Sequence, residues 1–319
     1  MAADSARRAL ALWLNARRSG TKFLVAAARD GAPVSEELGW LGLDGEAAAG
    51  AASEPEWLGR LAPLAPAPSS PWGEWSGQTR LAELRELGVL PEALINFLAL
   101  TLFDSIPDSG ELWTLEDLSA LWSPDKLPAA PIRFDFELLR KLNHDWLLRA
   151  DLDRLLELAL PYYQRVDWIP ADPSPAVRLW LRDLIRAVLP GLDFLSLLPP
   201  RTRLVFDYQP ESYLRIPESR EAMEREGARD VLRVFGQKAL EESWLTPERY
   251  REILEELKRE TPWRGRNLLQ PIRVLLTGLP FGPPMDELLP LIERGAELDL
   301  PVRIKPCRER VLEFCAVFV

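Results

Sequence analysis

Few residues of this chain belong to the types that make or break covalent bonds. Its single histidine, His144, would need a carboxylate to orient it and a hydroxyl or thiol to activate. The sequence offers no Asp, Ser or Cys that can be paired with it, so His144 reads as a structural or surface residue. Cys307 and Cys315 are too few and too oddly spaced for a zinc site, and read as free thiols, one or both buried, in a reducing cytosol. There is no glycine-rich phosphate loop, metal-ligand spacing or nucleophile–base pair, so neither a cofactor nor a metal is expected. The 12 tryptophans could stack on nucleic-acid bases. Most of them share helical stripes with leucine, which makes them core.

The elements that would position any site are mainly helical. At 319 residues the chain has room for two or three domains and a substantial core. Its net charge of -10 works against nonspecific adhesion to phosphate backbones, so nucleic-acid binding, if any, is local and shape-dependent. No apolar run approaches the ~20 residues that span a bilayer, and no secretory segment opens the chain, so a soluble cytoplasmic protein is expected. Residues 6–31 begin as an amphipathic helix with Leu10, Trp13 and Leu14 on one stripe, followed by a strand at 22–26 and a short helix within 36–44. Residues 46–71, rich in Ala, Pro and Ser, have no periodicity and read as a linker. The strand at 22–26 then lacks a sheet in its own chain. It either packs on the helical body through Phe23, Trp40 and Leu41 or pairs with another molecule. From Leu81 onward helices follow one another. Thr114 and Asp117 form a capping-box start; Phe134, Phe136, Leu138, Leu139, Leu142 and Trp146 are core; a helix over 177–189 ends at Pro190 and Gly191; and Thr246 caps a charged helix over 247–260 with Pro247 at its first position.

Three runs carry a family resemblance. The run RELGVLPEALINFLAL at 85–100 resembles the Y-R-E-L-G-Y-L-P-E-A-L-x-N-Y-L unit that follows the catalytic domain of bacterial glutamyl-tRNA synthetases. Residues 133–144, with RFDFE and KLNH, are similar to that family's F-D-x-x-K-L-x-W-L-N helix start, and QPIRVLLTG at 270–278 to its M-P-L-R-V-A-L-T-G. Residues 6–44 resemble the first half of its nucleotide-binding fold. The resemblance implies a mainly α protein with four parts: a small α/β remnant of a class I catalytic fold at 1–45, an Ala/Pro-rich linker at 46–75, a stem-contact helical domain at 76–165 and a helical-cage anticodon-binding domain at 166–319.

The same resemblance implies that the family's chemistry is missing. The HIGH-bearing loop would precede Ala6, where there are only five residues. The R-I-E-D-T-D run of the amino-acid pocket aligns with 25–30, VAAARD, and the K-x-S-K-R loop with 71–75, PWGEW, where Glu74 replaces a lysine. Adenylate formation rests on positive charge around the phosphates, so a tRNA-binding protein without glutamate–tRNA ligase activity is expected. Arg80, Arg85, Arg133, Arg140 and Lys141 fall where the family faces the inner corner of tRNA, and read equally as a solvated charged surface with partners such as Glu137 to Lys141. Gly191 takes the place of the family's anticodon-reading arginine, although Arg178, Arg182, Arg186, Arg201 and Arg203 remain to grip phosphates. Trp72 and Trp75, at the former catalytic loop, either form an interaction surface or plug the flank of the helical body. A strand-like insertion at 297–305 precedes an apolar end, 315–319 with Phe318, that is either tucked in or offered to a partner. The alternative function is therefore a protein-interaction module that docks a full-length synthetase or self-associates.

Overall fold

The computed structural model describes residues 1–26, 34–48, 54–68, 72–104, 112–128 and 130–318. Residues 27–30 of the pocket motif, Pro71 and Val319 lie outside the described residues. The chain divides into two compact units, Met1–Ala150 with Asp193–Ser196, and Asp151–Leu192 with Leu197–Val319. The contacts thus break at 150/151.

The first unit holds helices α1 (Ala3–Ser19), α2 (Val34–Trp40), α3 (Leu81–Leu87), α4 (Pro91–Leu100), α5 (Leu115–Leu121) and α6 (Phe136–Arg149), with two three-residue strands, β1 (Leu24–Ala26) and β2 (Glu46–Ala48). The strand expected to lack a partner has one in its own chain. β1 and β2 pair in parallel, Leu24 opposite Glu46, with α2 between them in sequence. An Ala-rich partner carries no β-pattern, which is why sequence left β1 alone. The stretch read as a linker contains a turn of 3₁₀ helix, Glu56–Arg60, and buries Leu58, Leu61 and Leu64. Its backbone is pinned: the amide of Ala65 donates to Ile132 (2.9 Å), that of Phe134 donates to Ala65 (2.8 Å), and Asp4 accepts from the amide of Leu64 (2.9 Å).

α4 packs against α6 and α1, and α1 against α5. Two buried polar side chains organise this unit. Asn143, fully buried on α6, accepts from the amide of Leu90 (2.7 Å) and donates to the carbonyls of Gly88 (3.2 Å) and Asp193 (2.6 Å). It thereby fixes the α3–α4 turn and the 193–196 segment at once. Gly88 sits at φ +89 with Leu195 against it, where a Cβ would come within 2.4 Å of the Leu195 nitrogen, so only glycine fits. Arg7, buried on α1, donates to Ala62 (2.6 Å) and to Thr101 at the end of α4. Burial lowers its pKa to about 10, opposed by the charge of Asp4.

The second unit comprises α7 (Leu152–Gln164), α8 (Pro175–Val188), α9 (Leu198–Phe206), α10 (Pro210–Tyr213), α11 (Pro217–Glu224), α12 (Ala228–Ala239), α13 (Pro247–Glu260), α14 (Arg266–Thr277), α15 (Met285–Ala296) and α16 (Cys307–Phe318). α8 lies against α7, α9 and α15, and α14 against α11, α12 and α16. The caps fall where side-chain chemistry puts them: Thr246 accepts from the amide of Arg249 at the start of α13, and in the first unit Thr114 and Asp117 form a reciprocal box. The expected strand at 297–305 is irregular chain. Pro301 and Pro306 cannot donate to a ladder, and side chains hold the segment instead, with Arg303 on Glu309 (2.8 Å) and Lys305 on Glu313 (2.7 Å). The chain end is helical, the final turn of α16, where Phe314 is buried and Phe318 lies 5.7 Å from it.

The centre of this unit is Arg310 on α16, with no accessible surface. Its guanidinium donates to the carbonyls of Leu204 and Val205 at the end of α9 (both 2.8 Å), Leu276 at the end of α14 (2.9 Å) and Lys305 (2.8 Å). Carbonyls at helix C-termini carry the negative end of the helix dipole, so the cation is neutralised without a carboxylate bond. Replacing Arg310 with methionine strands these carbonyls. The expected loss is at least about 3 kcal/mol, read as a lower urea midpoint for the second unit, with no rescue by lysine, which lacks the planar fork.

Candidate nucleic-acid interface

Ten cations read from sequence as phosphate contacts are placed by these helices, and seven of them are already engaged by carboxylates. Arg80 pairs with Glu83 (2.8 Å), Arg85 with Glu36 (3.5 Å) while lying over the Trp40 ring, and Arg140 with both Glu137 (2.8 Å) and Asp193 (3.0 Å). The partner of Glu137 is thus Arg140, not Lys141. The hydrogen bonds that Arg140 donates to Glu137 and then Asp193 raise its pKa. In the second unit, Arg178 pairs with Glu157, Arg182 with Asp153 (3.2 Å), Arg186 with Asp183 (2.9 Å) and Arg203 with Asp207 (2.9 Å). Arg178, Arg182 and Arg186 follow at i, i+4 and i+8 along α8, and the first two meet acids at i and i+4 of α7 in reverse order. Arg178 and Arg182, read from sequence as part of a phosphate grip, are thus two rungs between antiparallel helices, while Arg186 pairs within α8. Arg133, Lys141 and Arg201 are exposed and make no ion pair among the described residues.

The positions expected to meet a partner divide. Trp75 is 8% exposed and stacks on Phe136 (4.8 Å) and Phe134 (6.5 Å), so it plugs the flank and offers no ring to a partner. Trp72 is half-buried against Phe194 (5.5 Å) and Phe136 (6.4 Å). Glu74 between them is exposed. Phe318 is half-buried, with the guanidinium of Arg229 over its ring (5.6 Å). His144 lies 3.7 Å from Asp193. Gly191 ends a 3₁₀ turn, Leu189–Gly191, in which Leu189 is buried and Pro190 and Gly191 are exposed, and nothing lies within 4 Å of a Cβ built at Gly191.

Sequence reading missed a braced loop after α14. Thr277 donates to the Arg273 carbonyl (2.8 Å) and accepts from the Leu279 amide (3.3 Å), Ser219 donates to Gly278 (2.8 Å), and Arg273 donates to Pro283 (2.5 Å). Burial lowers the Arg273 pKa. At the crest of this loop Phe281 is 54% exposed. An aromatic between prolines in LPFGPP was the available signal.

Residues 154–298 match the family model described as "Anticodon binding domain". The chain carries an anticodon-binding domain of the glutamate–tRNA ligase family. It is 32% identical over 216 residues to glutamate–tRNA ligase 1 of Caldicellulosiruptor saccharolyticus, covering 68% of this chain and 44% of that protein. To the glutamate–tRNA ligase of Bacillus subtilis it is 30% identical over 212 residues, covering 66% and 43%. The chain thus spans less than half the length of the curated relatives it matches. Among solved structures, the glutamate–tRNA synthetase of Elizabethkingia anophelis superposes with a TM-score of 0.56 at 17% identity, over 76% of this chain and 42% of that one, a likeness of fold. Among the described residues no helix is long and apolar enough to cross a membrane, and no group of His, Cys, Asp or Glu is placed to hold a metal.

The α7–α8 ladder is partly exposed, so its pairs contribute little. Arg182→Ala is expected to lower stability by less than about 1 kcal/mol in dilute buffer, a loss that fades at molar salt, measured by urea unfolding at both salt concentrations. Burial, then the nearby charge of Glu293, pushes the Cys307 thiol well up. Ellman's reagent should therefore titrate Cys315 alone in the folded protein and both thiols after denaturation.

Proposed function

We propose that the chain binds tRNA through its two helical units and does not form a glutamyl adenylate. The observation that carries this reading is the anticodon-binding domain at 154–298, with relatives in which the same region belongs to glutamate–tRNA ligases. By this reading residues 76–165 meet the inner corner of the tRNA, and Arg133, Lys141 and Arg201 supply phosphate contacts free of internal competition. The seven paired arginines contribute less, because each must leave a carboxylate to reach a phosphate. The parallel β1–α2–β2 unit supports reading 1–45 as the remnant of a nucleotide-binding fold. Loss of chemistry is supported by Glu74, an exposed acid held between two packed tryptophans where the family places a lysine against transferring phosphates.

A second reading is a protein-docking module. It is favoured by the neutralised arginines and by exposed Leu312 and Val317 beside Phe318 on α16. A strict monomer in light scattering, together with no association with a purified full-length glutamate–tRNA ligase, would count against it.

The test of the first reading is retention of a total tRNA pool at near-physiological salt, with the retained species sequenced. Retention above an acidic control protein and no glutamate-dependent ATP–pyrophosphate exchange are expected; exchange would refute the loss of chemistry, and absent retention the tRNA reading. Since a side chain at Gly191 meets open space, Gly191→Arg should fold as the parent does and restore discrimination among tRNAs of roughly 5- to 100-fold, the worth of one guanidinium on a base edge.

A further inference from the structure

A cavity of about 400 Å³ lies between α10 and α16, and its charges do not balance. Lys305 stands in its wall, and the ammonium donates to Glu313 on α16 (2.7 Å) and to the Tyr208 carbonyl (3.2 Å). That pair is neutral. Glu211 on α10 is exposed and makes no ion pair among the described residues, so the lining carries one uncompensated negative charge. Gln209 and Ser212, the neutral polar groups of the lining, turn to each other (3.4 Å). The rest of the wall is apolar: Pro210, Ala316 and Val317. Ala316 is exposed and Val317 is 42% exposed, so the cavity opens to solvent.

Both walls are fixed in the absence of a ligand. α16 is anchored through Arg310 and the buried ring of Phe314. On the other side Tyr213 of α10 donates its hydroxyl to the Asp207 carbonyl (3.2 Å), and its ring fills the space over Gly278, where a Cβ would come within 2.2 Å of it. A preformed cavity spares its ligand the cost of ordering the site.

Glu211 and Glu313 repel a phosphate, so this lining does not suit RNA. A cation on an aliphatic stem meets every group in it. The stem lies on Pro210, Ala316 and Val317, as long basic side chains lie along apolar surface. Its head reaches Glu211 and the second oxygen of Glu313, which accepts no hydrogen bond among the described residues. Lys305 has a third ammonium hydrogen to donate. A free amine offers it no acceptor, whereas a polypeptide brings backbone carbonyls. One turn before Ala316, Leu312 is 52% exposed on the same side of α16 and suits an apolar residue next to the basic one.

We propose that this cavity receives an arginine side chain of a partner polypeptide, its guanidinium on Glu211 and Glu313, a backbone carbonyl on Lys305 and an adjoining apolar residue on Leu312. Arginine is preferred to lysine because its planar fork spans two carboxylates. The inference rests on the docking reading and names the chemistry of the partner.

The test titrates the full chain by isothermal titration calorimetry at low salt with three probes: a blocked peptide carrying arginine beside leucine, the same peptide carrying citrulline, its neutral isostere, and agmatine, a free guanidinium cation. Saturable binding of the arginine peptide is expected, with the citrulline peptide and agmatine each weaker by about 10-fold. Glu211→Gln should weaken the arginine peptide by a similar factor. Ala316→Trp, which fills the mouth from an exposed position, should abolish binding while its circular dichroism matches the parent. Equal affinity for agmatine and the arginine peptide overturns the polypeptide source. Equal affinity for the citrulline peptide, or an unchanged affinity in Glu211→Gln, overturns the cation site. No peptide binding by a chain that does associate with a purified full-length glutamate–tRNA ligase, or with itself, overturns this site and leaves docking intact. With neither association, both fall.

Discussion

The second unit depends on a cation buried without a carboxylate bond. Taking a guanidinium out of water costs several kcal/mol, and Arg310 recovers that cost by donating to carbonyls at the C-termini of α9 and α14 and to Lys305. Burial lowers its pKa, opposed by neighbouring groups. Tyr208 stacks under the guanidinium at 4.7 Å and donates its hydroxyl to Leu275 in α14. Because the fork geometry is fixed, the ends of two helices can meet α16 in only one arrangement. The braced loop begins directly after α14, and Arg201, one of the cations proposed to meet a phosphate, stands on α9. Both rest on helices that Arg310 joins, so their rigidity is inherited from the core.

Charge elsewhere is spent inside the fold. With 49 acidic and 39 basic residues, the chain pairs most of its candidate phosphate ligands internally, as in the α7–α8 ladder. Of the ten candidates, Arg133, Lys141 and Arg201 remain for an external anion. Three such charges on an acidic chain do not hold nucleic acid alone and need complementary shape to supplement them.

Much of the fold was legible because local chemistry and tertiary structure agree. Thr114 and Thr246 cap helices where their side chains must, and Phe134, Phe136, Leu139 and Leu142 are buried as their spacing predicts, whereas Leu138 and Trp146, read as core with them, are only half-buried and Leu147 takes the interior position. The run at 85–100 carried the resemblance, and in the structure its Gly88 marks the α3–α4 turn and its Pro91 opens α4. Other features were hidden for stated reasons. β2 is three residues of Glu and Ala without strand pattern, so its pairing with β1 is a tertiary event. Arg178 and Arg182 look free in sequence because their acids lie a helix away, on α7. Arg310 lies in a charged run, RER, yet it shares a stripe with Cys307, Val311 and Phe314 at helical spacing; an arginine on a core stripe was the overlooked signal. Asn143 was overlooked likewise, being polar in a position that packing makes interior.

The most direct measurement is photo-cross-linking of the full chain to tRNA carrying thiouridine, with the linked peptides identified by mass spectrometry. The account predicts adducts around Arg201 on α9 and around Arg133 and Lys141 in the first unit. Adducts confined to other parts of the chain would contradict it, because the cations that make no internal ion pair would then not be where the RNA lies.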